Sequence, residues 1–150
     1  MPELPEVETI RRELAPRLEG RRILDLRITK PDILLGGVSP SEFRDRIRGV
    51  RVRSVSRRGK WLLFELAGEV LVSQLRMTGR FAVGPGPAPP IEDFRHVAAE
   101  FDLEDGQTLF YDDVRRIGGF MLLTREEWSG EEARLGPEPL APGFRARDLD

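Results

Sequence analysis

Pro2, Glu3, Glu6 and Lys60 are the residues of this chain whose types and spacing suit covalent chemistry. A Met followed by a small residue is usually trimmed, so loss of Met1 would expose Pro2 as a secondary amine. An α-amino group has a reference pKa of about 7.7 to 8.0 and the positive end of a helix dipole lowers it, so much of this amine would be uncharged near neutrality. Attack of a secondary amine on a sugar C1′ or an aldehyde gives an iminium, which carries positive charge without a further proton and serves as an electron sink for elimination. Glu3 would protonate the departing or ring oxygen as general acid. Glu6 shares a helical face with Glu3 and would order a water or tune the Glu3 carboxyl. Each residue also has a plain structural reading, because Pro is common near helix starts and acids in a first turn complement the dipole.

Further along the chain, three short segments hold unusual combinations. In Ser56-Arg57-Arg58-Gly59-Lys60-Trp61-Leu62-Leu63-Phe64, a Gly and a Lys stand at the turn into an apolar strand. Gln74-Leu75-Arg76-Met77-Thr78-Gly79 reads as a loop tip carrying Met77. A lone Met is ordinarily a core residue, but the flanking Thr78 and Gly79 favour the loop tip. Asp113-Val114-Arg115-Arg116-Ile117-Gly118 sets two adjacent arginines and an apolar Ile117 just before a glycine. Arg115 and Arg116 could be a solvated turn, or partners for Asp112 and Asp113.

These residues need a scaffold, and the hydrophobic pattern supplies one. Val7, Ile10, Leu14 and Leu18 form one apolar stripe that predicts a helix over Leu4 to Leu18, with Gly20 as its stop. The alternation of Leu24, Leu26 and Ile28 predicts a strand from Arg22 to Thr29. Ser39-Pro40-Ser41-Glu42 reads as a capping box opening a helix to Ile47, with Gly49 as terminator. Further strands are predicted at Val50 to Ser56, Trp61 to Leu66, Glu69 to Leu75, Arg80 to Val83, Arg95 to Leu103, Gln107 to Asp112 and Gly119 to Thr124. A Pro-rich loop follows Gly84, and an acidic helix is predicted over Arg125 to Arg134. The predicted fold class is α+β, mainly β: two antiparallel sheets in a sandwich with an amino-terminal helix and short flanking helices.

Composition bounds the class of protein. At 150 residues and 39% hydrophobic content, the chain can build one compact core. No apolar run approaches the roughly 20 residues needed to span a bilayer and no signal-peptide pattern precedes the helix, so a cytoplasmic protein without membrane contact is expected. With Cys 0, disulfides and a thiolate zinc site are excluded for this chain. The net charge of -2 hides a division: residues 44, 46, 48, 51, 53, 57, 58 and 60 are basic against the single acid Asp45, whereas the chain after Glu92 is strongly acidic. Such segregation is compatible with one phosphate-facing surface or with a solvated charged face.

The opening string Met-Pro-Glu-Leu-Pro-Glu-Val-Glu-Thr, followed by Arg11-Arg12-Glu13-Leu14, resembles the formamidopyrimidine-DNA glycosylases, bacterial base-excision repair enzymes that remove oxidised purines and then cut the strand. The resemblance implies a bifunctional DNA glycosylase and AP lyase acting through a Schiff base at Pro2, with Glu3 as general acid. Lys60 would contact the phosphate beside the lesion and transfer a proton in elimination. The Gln74 to Gly79 segment resembles the family's His-Leu-Gly-Met-Ser/Thr-Gly loop, and the Asp113 to Gly118 segment its Asp-Pro-Arg-Arg-Phe-Gly loop. Met77, Arg115 and Ile117 would then fill the void that a flipped-out base leaves in the stack, with Gln74 and Arg116 completing the DNA contacts. Three positions depart from the pattern: Gln74 and Phe94 stand where the family has His, and Ile117 where it has Phe. His96 is retained and reads as a structural residue on a strand. Residues 1–134 are expected to be the catalytic domain, and 135–150 a linker into a helix-two-turn-helix domain that would also carry the family's zinc finger. No cofactor or metal is expected in this chain. The expected partner is damaged double-stranded DNA, bound by a monomer in a bacterial cytoplasm near the nucleoid. A non-catalytic DNA-binding fragment is the alternative reading.

Overall fold

The computed structural model describes residues 4–134, so Pro2, Glu3 and the predicted linker 135–150 lie outside the described residues. Helix α1 (Leu4–Leu18) runs into strand β1 (Ile23–Ile28), two 3-10 turns (Pro31–Ile33 and Leu35–Gly37) and helix α2 (Pro40–Ile47). Strands β2 (Ser54–Arg58), β3 (Trp61–Glu65), β4 (Glu69–Gln74), β5 (Gly79–Gly84), β6 (Val97–Leu103), β7 (Thr108–Asp113) and β8 (Gly119–Thr124) follow, and α3 (Arg125–Ala133) closes the described chain. The strands form two four-stranded sheets, in the orders β1-β6-β7-β5 and β2-β3-β4-β8, with every pair antiparallel. The α+β, mainly β sandwich expected from the sequence is the fold observed.

The main core lies between the sheets. Leu26, Phe101 and Tyr111 from one sheet meet Val55, Leu62, Phe64, Leu71 and Phe120 from the other, and Val7, Leu14 and Leu18 of α1 cover one flank. Phe120 is the hub, with ring centroids 4.9 Å from Tyr111, 5.7 Å from Phe101 and 6.0 Å from Phe81. Tilted aromatic pairs at such spacing add to the burial energy. A smaller cluster on the outer face of the second sheet packs Trp128 of α3 on Leu63, Val70 and Val72.

Two predicted strands differ from expectation in instructive ways. In β1 the pairing runs Ile23↔Leu103 and then Asp25↔Asp102, so Leu24 is an extra, bulged residue. Leu24 therefore turns outward at 50% exposure, while Ile23 and Leu26 are buried. The stretch predicted as one strand from Val50 to Ser56 serves two sheets. Its first part bonds alongside β1, with Ile23 N donating to Val50 O at 2.8 Å and Val52 N donating to Arg21 O at 2.8 Å. Bonding to β3 begins where Arg53 N donates to Glu65 O at 2.7 Å, and the paired register runs from Ser54. Val52 and Val55 are both buried, and their spacing of three breaks the period of two, which requires the bend.

Capping also differs in detail. Ser39 accepts from Glu42 N as predicted, but the Glu42 side chain bonds Arg46. A complete reciprocal box instead opens α3, between Thr124 and Glu127.

Candidate functional site

The amino end of α1 is tied to the β2–β3 hairpin by one carboxylate. Glu8 accepts hydrogen bonds from Arg11 Nη2 at 2.7 Å, Arg12 Nε at 2.7 Å and Arg57 Nε at 2.9 Å. The Arg11 hydrogen bond, helped by Arg57 and Arg12, holds the Glu8 carboxyl well below the usual carboxylate range. The Arg57 side chain is only 8% exposed and also donates to Gly59 O at 3.1 Å, so the pair fixes the turn against the helix. Just past the end of α1, Glu19 accepts from Val55 N at 2.8 Å and makes a second tie. Arg58 pairs with Trp61, which leaves Gly59-Lys60 as a two-residue turn. Gly59 has φ 61, as the first central position of a type II′ hairpin requires, and Lys60 is presented exposed beside it.

Two loops that are distant in sequence converge on Asp113, which is 0% exposed. Its carboxylate accepts from Tyr111 OH at 2.8 Å, Arg116 N at 2.9 Å, Gly118 N at 3.2 Å and the Thr78 hydroxyl. Burial, with the Asp113 hydrogen bond second, pushes the Tyr111 phenol well above its ordinary range and keeps it a donor. Arg115 N donates to Thr78 Oγ1 at 3.2 Å and its guanidinium reaches Met77 Sδ at 3.2 Å. The loop tips are apolar and open: Met77 is 53%, Val114 51% and Ile117 49% exposed.

Glu6, Met77, Phe94, His96, Asp112 and Val114 line one open cleft of about 710 Å³. Phe94 is buried under Arg80, whose guanidinium carbon lies 4.5 Å from the ring centroid. Arg80 also pairs with Asp93 at 3.1 Å and Asp112 at 3.2 Å.

The structure brings Glu6 and Met77 together across the cleft and sets Arg115 against Met77. Arg116 turns to Asp32 at 3.2 Å, so neither arginine of this loop forms the ion pair with Asp112 or Asp113 that the sequence allowed. Gln74 closes β4 at 8% exposure, beneath the loop rather than on its surface. His96 precedes β6 and is exposed in the cleft; its structural contribution comes from the backbone, whose N donates to Asp112 Oδ1 at 2.7 Å. Five residues of the basic run are ion-paired among the described residues. Arg44 pairs with Asp25, Arg46 with Glu42 and Glu69, Arg51 with Glu104, Arg57 with Glu8 and Arg58 with Glu132, on elements all around the molecule.

Sequence reasoning missed Val114, Thr78, Asp113 and the Glu8–Arg57 tie. Val114 lies inside a motif already singled out, and its position on an arginine loop was the available signal. Thr78 and Asp113 also lie inside the quoted segments, but the bond between them spans 35 positions and the Glu8–Arg57 tie 49, so no local pattern marks either link.

Comparison with known proteins places this geometry. The family model of the formamidopyrimidine-DNA glycosylase N-terminal domain matches residues 1–120. Over 146 residues the chain is 46% identical to a formamidopyrimidine-DNA glycosylase of Geobacillus kaustophilus, covering 96% of this chain and 52% of that protein. Lactococcus lactis Fpg in complex with abasic-site-containing DNA is similar with a TM-score of 0.83 at 32% identity, over 99% of this chain and 53% of that one. The complex of Lactococcus lactis Fpg with FAPY-dG-containing DNA gives the same TM-score of 0.83, also at 32% identity and over 99% and 53% of the two chains. The chain spans about half the length of the curated relatives it matches.

Proposed function

The chain belongs to the formamidopyrimidine-DNA glycosylase N-terminal domain family, and from that premise we propose that it is the catalytic part of a base-excision repair enzyme that removes oxidised purines and nicks the strand as an AP lyase. Residues 1–134 form the catalytic domain in this reading, and 135–150 lead toward a second domain. The proposed partner is damaged double-stranded DNA, engaged by a monomer in the bacterial cytoplasm at the nucleoid.

The Pro2 nitrogen attacks C1′ of the damaged nucleotide. The C1′–N bond breaks, and the base leaves with its electron pair and takes up a proton. Glu3 protonates the ring oxygen as the sugar opens, and loss of the Pro2 proton leaves an iminium at C1′. That iminium accepts electrons as a C2′ proton is removed, so the C3′–O bond breaks; a second elimination releases the 5′ oxygen. Lys60 holds the phosphate beside the lesion and serves proton transfer, and Glu6 orders a water or tunes the Glu3 carboxyl. Met77, Arg115 and Ile117 occupy the space of the extruded base, with Arg116 as a further cation toward the duplex. None of these steps uses a metal ion.

One observation carries the reading: Glu6 of α1 and Met77 of the β4–β5 loop line the same cleft, at the helix end that Arg57 and Glu8 tie to the Lys60 turn. Borohydride trapping tests it. Duplexes containing formamidopyrimidine, 8-oxoguanine or an abasic site are expected to yield a covalent adduct that Pro2→Gly abolishes. Absence of any adduct, or an adduct indifferent to Pro2→Gly, overturns the proposal. Intact mass reports whether Met1 has been removed, as the chemistry requires.

A further inference from the structure

Met77, Val114 and Ile117 expose apolar side chains on two loops that are more than 30 positions apart in the sequence, with Arg115 reaching back to Met77 across 38. Tips of this kind have no packing of their own to hold them. Arg76 and Arg116, with φ 53 and φ 54, sit in the left-handed region that a side chain disfavours, so each turn also needs an external restraint. The hydroxyl of Thr78 answers both needs. A hydroxyl offers one donor and two acceptor positions. Thr78 uses them in opposite directions, donating to Asp113 and accepting from Arg115 N at 3.2 Å. The same buried carboxylate takes Arg116 N at 2.9 Å and Gly118 N at 3.2 Å, so the Met77 turn and the Arg115 loop share one anchor.

We infer that Thr78 and Asp113 are a positioning pair that makes Met77 and the Arg115–Ile117 loop enter a duplex as one unit. This inference rests on the repair reading of the cleft. Its consequence is selective. A duplex must have its stack opened and its void filled, whereas a single-stranded abasic site presents its aldehyde with no stack to open. The pair therefore matters for duplex substrates and is indifferent to the single-stranded one.

Thr78→Val removes the hydroxyl at nearly constant shape, and Thr78→Ser keeps it. Excision rates on a lesion-containing duplex are to be compared with borohydride trapping of a single-stranded abasic oligonucleotide, using 2-aminopurine opposite the lesion to report opening of the stack. Thr78→Val is expected to lose about tenfold in kcat/KM on the duplex and to blunt the 2-aminopurine signal, as loss of one bridging hydroxyl implies. Thr78→Ser is expected to stay near the unmodified protein, and single-strand trapping is expected to be unchanged in both. The inference is overturned if Thr78→Val equals the unmodified protein on the duplex, if Val and Ser fall together, or if both substrates decline in parallel. Unmodified protein that traps neither substrate overturns the repair reading itself, and this inference with it.

Discussion

Two buried polar side chains, one in each sheet, have opposite energetics. Asp113 is 0% exposed and fully occupied by donors, while the Ser73 hydroxyl, also at 0%, has no hydrogen-bond partner among the described residues. An unpaired buried hydroxyl costs stability that an apolar replacement recovers. Ser73→Ala is therefore expected to stabilise the protein by about 1 kcal/mol, seen as a Tm rise of about 2 to 4 °C. A lower Tm would mean that the hydroxyl is satisfied in solution. Met77 presents the reverse case: at 53% exposure it contributes little to folding, so Met77→Ala should leave the melt unchanged while slowing excision from duplex. Equal loss of stability and activity would return Met77 to an ordinary packing role.

At the level of elements, the junction between the Arg115 loop and β8 is the tightest in the molecule's site region. A Cβ at Gly119, where φ is 145, would lie 2.0 Å from Ile33 O, and one at Gly118 would lie 2.3 Å from Gln74 O. Both neighbours are backbone and cannot swing aside, so Gly119→Ala should cost about 3 kcal/mol or more in urea unfolding. A loss below about 1 kcal/mol would show that the 3-10 turn ending at Ile33 yields. None of this crowding is legible in the sequence, where Gly118-Gly119 is only a turn signal. The α1 stripe, the predicted strands and the two loop motifs were legible, because hydrophobic period and turn residues are local. Leu24 was misread for the complementary reason: its bulge is set by pairing with β6, and alternation alone cannot reveal an inserted residue. Gln74, expected as a DNA contact from its motif, pairs with Trp61 on one side and Gly119 on the other and so ends a strand in the interior of its sheet, which the motif alone did not indicate.

Across the whole molecule, charge acts chiefly as stitching between elements. Five of the eight basic residues between positions 44 and 60, a run compatible with a phosphate face or a solvated one, pair with carboxylates Asp25, Glu42, Glu69, Glu104, Glu8 and Glu132 on separate elements. This arrangement makes folding sensitive to acid. Glu8 is held well below its ordinary 4.5 by Arg11 first, and Asp25 is lowered from 3.8 to about 2 by Arg44 first; Asp102 is lowered by Arg27. A depressed folded pKa means that the unfolded chain binds more protons as pH falls through the range about 4.5 to 2, so stability is full above that range and declines within it. Glu8→Gln isolates the most consequential pair, because Gln resembles the protonated carboxyl and leaves Arg57 inside the same contact. The variant should be less stable than the unmodified protein by about 1 to 3 kcal/mol at pH 7, with the difference shrinking steadily as pH falls below about 4.5. Chemical unfolding at a series of pH values measures this directly. A difference that stays constant down to about pH 3 would show that Glu8 acts through its shape and not its charge, and that the tie between α1 and the Lys60 hairpin survives neutralisation.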